Sequence, residues 1–197
     1  MRWRTLGPAL AVVVAVVAGV ALTRGDDEGP PPGPVTPTPV AVTSDAPRLD
    51  TLEALAAAAD LVVRGEVART ARGRLFGDSA TGTAIESRLV TLSVTAVLRG
   101  DAAPGDDLLL EEEGWTQDGA PLIVDGAAPS ATGDDGIWFL TQVEGPTGAA
   151  YVVVSAQGRY LVEGAGLRGA DGDDPLIAAL AALSPAALAE RIAALPG

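Results

Sequence analysis

The feature that most constrains the fold of this chain is a ten-residue alternation. Leu89, Thr91, Ser93, Thr95 and Val97 interleave with Val90, Leu92, Val94, Ala96 and Leu98. One face is apolar and the other mostly hydroxyl-bearing, the period-two signature of a half-buried strand. The run ends at Arg99-Gly100-Asp101, and Pro104-Gly105-Asp106 has the composition of a turn. Leu61–Val67 reads as an earlier strand with Gly65 as a bulge, and Leu108–Glu111 as a later one. Ile137–Val143 is apolar enough to be buried on both faces. Tyr151–Val154 and Gly158–Val162 are expected to form a hairpin around Ser155-Ala156-Gln157. Residues 69–84, rich in Arg and Gly, are expected to end a strand in a mobile hairpin loop. Residues 112–135 read as irregular, with a short strand at Pro121–Asp125. Five or more short strands between Gly, Asp and Pro turns favour a closed or nearly closed antiparallel barrel over a parallel sheet.

Helices flank this β region. Asp50 or Thr51 is placed to cap a short helix running to Ala59, with Leu49, Leu52, Leu55 and Ala56 on one face. At the other end, Pro175–Leu183 reads as one helix. Ser184 then caps a second, which starts at Pro185 and runs to about Leu195. The apolar faces of this tail are expected to cover an end of the barrel. The expected fold class is therefore mainly β, with a short N-terminal helix and a C-terminal helical tail.

The first 47 residues concern location. Arg2 and Arg4 precede an uncharged stretch from Thr5 to Thr23, followed by Asp26-Asp27-Glu28 and a Pro-rich run. Arginines on the near side and an acidic step on the far side orient the segment with its N-terminus cytoplasmic and the rest exported. About 20 apolar residues span the hydrocarbon core, and the stretch is longer than a usual signal h-region. It reads as a retained single-pass anchor that holds the domain outside the cell membrane; the alternative is a secreted domain cleaved near Ala21. The expected organisation is anchor or signal at 1–24, linker at 25–47, barrel domain at 48–168 and helical tail at 169–197.

The chain has no Cys and no His, and reading along it finds no Lys or Asn. That excludes zinc-finger, thiol, haem and Ser-His-Asp chemistry, the Walker lysine and the Schiff base. Beyond Arg24, 10 of the 13 arginines face all 26 acidic residues, a net charge of about −16. Such a surface repels phosphate, so nucleic acid is not an expected partner.

Three segments recur in a known order: Ala59-Asp60-Leu61-Val62-Val63-Arg64-Gly65-Glu66-Val67, then Val94-Thr95-Ala96-Val97-Leu98-Arg99-Gly100-Asp101, then Gly133-Asp134-Asp135-Gly136-Ile137-Trp138-Phe139-Leu140. The trio resembles exported bacterial, actinobacterial-type domains similar to the netrin/tissue-inhibitor type of OB-fold. The resemblance spans about residues 50–163. It implies a five- or six-stranded Greek-key, OB-like barrel used as a binding module. The animal relatives inhibit metalloproteases through an N-terminal cysteine and disulfides, and this chain has neither, so that chemistry does not carry over.

Trp115, beside Glu111 and Glu113, is the candidate ligand face, an aromatic platform at the edge of an OB-like barrel; the alternative is a tryptophan folded over the barrel to seal it. Asp106-Asp107, Glu111–Glu113, Gly133–Gly136 and Asp171–Asp174 are acidic enough for a hard cation, yet the bidentate Glu that completes an EF-hand loop is missing near Leu180. Turn carboxylates in solvent are the expected reading, with no metal and no cofactor. Arg69, Arg72 and Arg74 form the one local cationic cluster. Glu86, Glu111 and Glu144 show no spacing that marks a catalytic pair, and the serines lack a basic partner. The expectation is a non-catalytic binding or scaffolding module, tethered through residues 5–23, with a protein or cell-envelope partner. The alternatives are a secreted calcium-dependent binding domain or, less favoured, a carboxylate-based hydrolase.

Overall fold

The computed structural model describes residues 37–78, 80, 82–146 and 148–196; the apolar segment 5–23 lies outside them. Among the described residues no single helix is long and apolar enough to cross a membrane. The fold is mainly β. Strand β1 (Val40–Val42) is followed by helix α1 (Leu52–Ala58), β2 (Leu61–Phe76), β3 (Ile85–Arg99), β4 (Asp107–Thr116), β5 (Leu122–Val124), β6 (Asp135–Gly145) and β7 (Gly148–Val153). Then come β8 (Arg159–Glu163), β9 (Gly166–Arg168), α2 (Pro175–Ala181) and α3 (Pro185–Ala193).

Seven strands form one sheet in the order β2-β3-β4-β7-β6-β8-β9. β2, β3 and β4 are an antiparallel meander, β7 meets β4 in parallel at Leu110 and Tyr151, and β6 and β7 are an antiparallel hairpin. β6 also pairs with β2, Leu61 opposite Leu140 through Glu66 opposite Asp135, so the row returns on itself. The sheet is not a clean barrel, because one residue pair joins β4 to β7 and two further strands extend the row beyond β6.

The alternation along β6 explains why its sequence is apolar throughout. Trp138 and Leu140 enter one core with Leu61, Val63, Val90, Leu92 and Leu110, inside the curved sheet. Ile137 and Phe139 enter a second core with Val62, Tyr160, Leu55, Leu176, Leu188 and Ile192, between the sheet and the three helices. Phe139 and Tyr160 meet edge-on there at 6.4 Å, a favoured aromatic geometry. The helices begin where their caps dictate. Thr51 Oγ1 accepts from Ala54 N–H at 3.1 Å, Asp174 from Leu176 and Ile177 N–H at 2.9 and 3.0 Å, and Ser184 Oγ from Ala187 N–H at 3.2 Å. The tail thus covers the outer face of the sheet.

Three expectations change. Tyr151–Val154 and Gly158–Val162 do not pair with each other. β7 and β8 lie end to end along the same edge of β6, with Val153 opposite Leu140 and Arg159 opposite Trp138. The cause is a 3-10 turn at Ala156–Gly158. Its Gln157 side chain accepts from Leu49 N–H at 2.8 Å and donates to Leu49 C=O and Asp174, at 2.8 and 2.9 Å. Second, β2 does not end near residue 69 but continues to Phe76, paired to β3 throughout. Third, the segment read as linker carries β1, which pairs in parallel with β5 from Val40–Leu122 to Val42–Val124. Val42, Ile85 and Leu122 close a third small core beneath that sheet.

Candidate functional site

The site is built where β2, β3 and β4 run past the inner core. Val90 and Leu110 face inward, so Arg88 and Glu112, two residues along each strand, continue on that inner face. Arg72 lies opposite Arg88 in the β2–β3 register. At Gly114 the register slips: Glu113 is opposite Ser87, yet Trp115 is opposite Glu86. A Cβ at Gly114 would stand 2.7 Å from Glu86 C=O and 2.9 Å from the Arg88 nitrogen, so glycine is what lets the bulge form. The extra residue inverts the parity of β4. Glu111 and Glu113 remain on the outer face, and Trp115 turns inward to meet the arginines.

Arg88 and Arg72 both lie on the Trp115 ring, their guanidinium carbons 4.2 and 4.6 Å from its centroid. Arg72 also pairs with Glu86. Behind them sits a buried polar network. Glu112 accepts from Ser130 Oγ–H at 2.6 Å and from Ser130 N–H at 3.3 Å, and lies 3.5 Å from Arg159. Arg159 donates to Ser130 Oγ at 2.7 Å and to Ala128 C=O, and lies over Trp138 at 5.6 Å. Arg88 donates to Ser130 C=O at 3.2 Å. Ser130 is therefore the hub of two guanidinium groups and one carboxylate.

Burial pulls the Arg88 guanidinium below its ordinary pKa; Glu112 opposes this, and Arg159 and Arg72 add to it. Among the described residues, Arg88 Nε–H and Trp138 Nε1–H are buried with no acceptor. Arg72 and Arg88 on Trp115 thus form a cationic, aromatic mouth on a strongly acidic chain, with Glu86 at its side and with Arg159, Glu112 and the fully buried Trp138 beneath it. A carboxylate is the group this arrangement suits, because guanidinium forks pair with it bidentately.

The other residues singled out by sequence lie elsewhere. Glu111 is buried under Arg74, which donates to both its oxygens at 3.0 and 2.8 Å. Glu113 has its carboxyl pushed up by burial, a local backbone hydrogen bond opposes this, and the carboxylates of Glu112, Asp125 and Glu111 add to the rise. Neither shares a face with Trp115. The acidic turns are occupied with their own backbone: Asp106 accepts from Ala103 N–H, Asp134 from Ala131 N–H, both at 2.8 Å. Asp107 accepts from Ser93 Oγ–H at 2.6 Å, and Asp135 pairs with Arg64. Asp171, Asp173 and Asp174 line a depression of about 100 Å³ with Asp125 and Ser44. Asp125 there is held by Ser44, and Asp174 by α2 and Gln157. Among the described residues no group of three acids is arranged to hold a metal ion.

Comparison with protein-family models, with curated proteins and with solved structures finds no match to this chain.

Proposed function

We propose that the chain is a non-catalytic binding module of OB-like architecture, held outside the membrane by residues 5–23, that takes a carboxylate-bearing ligand at the Trp115 mouth. The strand order supports the architecture. β2 pairs with both β3 and β6, and a parallel β4–β7 contact joins the remaining ends, the connectivity of a five-stranded Greek-key barrel. The observation that carries the function is the pair of guanidinium groups, Arg72 and Arg88, on the Trp115 ring. Arg72 is the more exposed member, its side chain 57% exposed. A ligand carboxylate exchanges with Glu86 for Arg72 and leaves the cation on the ring in place. The non-catalytic reading rests on the carboxylates: Glu86, Glu111 and Glu112 are each held in an ion pair with an arginine.

The test is tryptophan fluorescence of the full chain titrated with acidic peptides and uronic-acid oligosaccharides. Binding is expected for carboxylate-bearing members and not for their amide or neutral counterparts. Arg72→Ala and Trp115→Leu should each weaken it by roughly fivefold or more, the scale of a cation–π or ion-pair contact of about 1 kcal/mol. Equal affinity in both variants, or no binding across the panel, overturns the reading.

A further inference from the structure

We infer that the free edge of β2, from Ala68 to Phe76, receives an extended acidic peptide as an added strand. β2 is paired to β3 from Val62 to Phe76, with register shifts between Val67 and Arg69 and between Arg72 and Leu75, but to β6 only as far as Glu66. The last backbone bonds on the second edge are Val67 N–H to Asp134 C=O at 2.9 Å and Gly133 N–H to Val67 C=O at 2.8 Å. From Ala68 onward no strand among the described residues pairs with that edge. An unpaired row of N–H and C=O groups is a template for strand addition.

The side chains select the occupant. Leu75 and Phe76 are the exposed large hydrophobic residues of the described chain, at 65% and 38%, and both belong to this edge. Arg69, Arg72 and Arg74 punctuate it, and Arg69 is exposed with no ion-pair partner among the described residues. A second copy added antiparallel about the middle of the segment would set Arg72 against Arg72, a like-charge pair that disfavours self-association. An acidic strand has the opposite sign. Arg69 lies opposite Thr91 and Arg72 opposite Arg88, an odd separation, so the two arginines serve opposite faces. The matching partner carries two carboxylates three positions apart, with two adjacent apolar residues further on, one against Leu75 and one against Phe76 on the opposite face. This inference goes beyond the mouth reading and does not require it; Arg72 is the residue they share.

The experiment uses the full chain and a blocked nine-residue peptide of Val and Thr carrying two Glu three positions apart, with a Lys-for-Glu control. Hydrogen exchange is read across residues 68–76. The expected result is slowed exchange confined to that stretch with the Glu peptide and none with the control. Arg69→Glu should weaken binding about fivefold or more. Binding without protection of 68–76, or no binding, overturns the inference. Protection that grows with protein concentration in the absence of peptide assigns the edge to a second copy and also overturns it. The two readings separate cleanly: protection that survives Trp115→Leu supports the edge without the mouth. A response of Trp115 to glutarate with unprotected 68–76 in the peptide experiment keeps the mouth and removes the edge.

Discussion

Replacing Glu112 by Gln should be the most informative single change in the inner core. The substitution keeps volume and one acceptor oxygen, and it removes the charge that faces Arg159. At their 3.5 Å separation, an effective dielectric of about 20 gives a gross attraction on the order of 5 kcal/mol. The two side chains are only 9% and 12% exposed, so solvent screening discounts little of it. Part is returned because Gln is cheaper to bury than a carboxylate. The new amide group also points a donor at Ser130, whose Oγ–H and N–H both need an acceptor. The expected net loss is about 3 kcal/mol, the lower end of what breaking a buried pair costs. Urea unfolding followed by tryptophan fluorescence measures it, with Arg159→Met and the double variant completing a cycle. The double variant should be less destabilised than the sum of the singles by about 2 kcal/mol, because no uncompensated charge remains between that pair. A loss under about 0.5 kcal/mol for Glu112→Gln, or strict additivity, would refute the claim that Ser130 gathers these groups into one coupled unit.

Two further outcomes test neighbouring features. Tyr160 is fully buried and its hydroxyl has no partner among the described residues; Tyr160→Phe should raise stability by about 1 kcal/mol in urea, and a loss of that size would show the hydroxyl to be bonded. For Glu113 the folded-state pKa is raised by burial, so the native chain binds its proton more tightly than the unfolded one does. Stability from this group is therefore full below the ordinary carboxylate value of about 4.3 and falls as pH rises through that value and the raised one. Glu113→Gln should melt above the native protein at pH 7, with the gap closing towards pH 4; a gap independent of pH would remove titration as its cause.

The parts of the fold written in the sequence are those where burial imposes a period. β3 shows alternation because its two faces differ. β6 shows none because Ile137 and Phe139 meet the helices while Trp138 and Leu140 meet the inner core. The caps at Thr51 and Ser184 are local chemistry and equally legible. What local composition does not carry is partner choice over distance. A hairpin and a strand interrupted at Ala156–Gly158 have the same residues; the difference is made by Gln157, bonded to Leu49, 108 positions away. The Arg- and Gly-rich end of β2 looks like loop, and it is held extended by partners on β3 and β4. Arg74 illustrates this, donating its N–H to Ser87 at 2.9 Å and its guanidinium to Glu111.

The site shows the same limit at the scale of one residue. Trp115 stood out as an aromatic residue in a polar stretch, and simple strand parity would place it with Glu111 and Glu113. A one-residue slip exchanges the faces of everything beyond it, and Gly114 supplies that slip. The signal was present, since a glycine inside a strand marks a bulge or a close backbone approach, and here it is both. Counting parity through the bulge moves Trp115 from the carboxylates to Arg72 and Arg88. That changes the candidate face from an aromatic platform beside acids, read for a sugar or peptide, to guanidinium groups on an aromatic ring. One glycine therefore decides which side chains gather around Trp115.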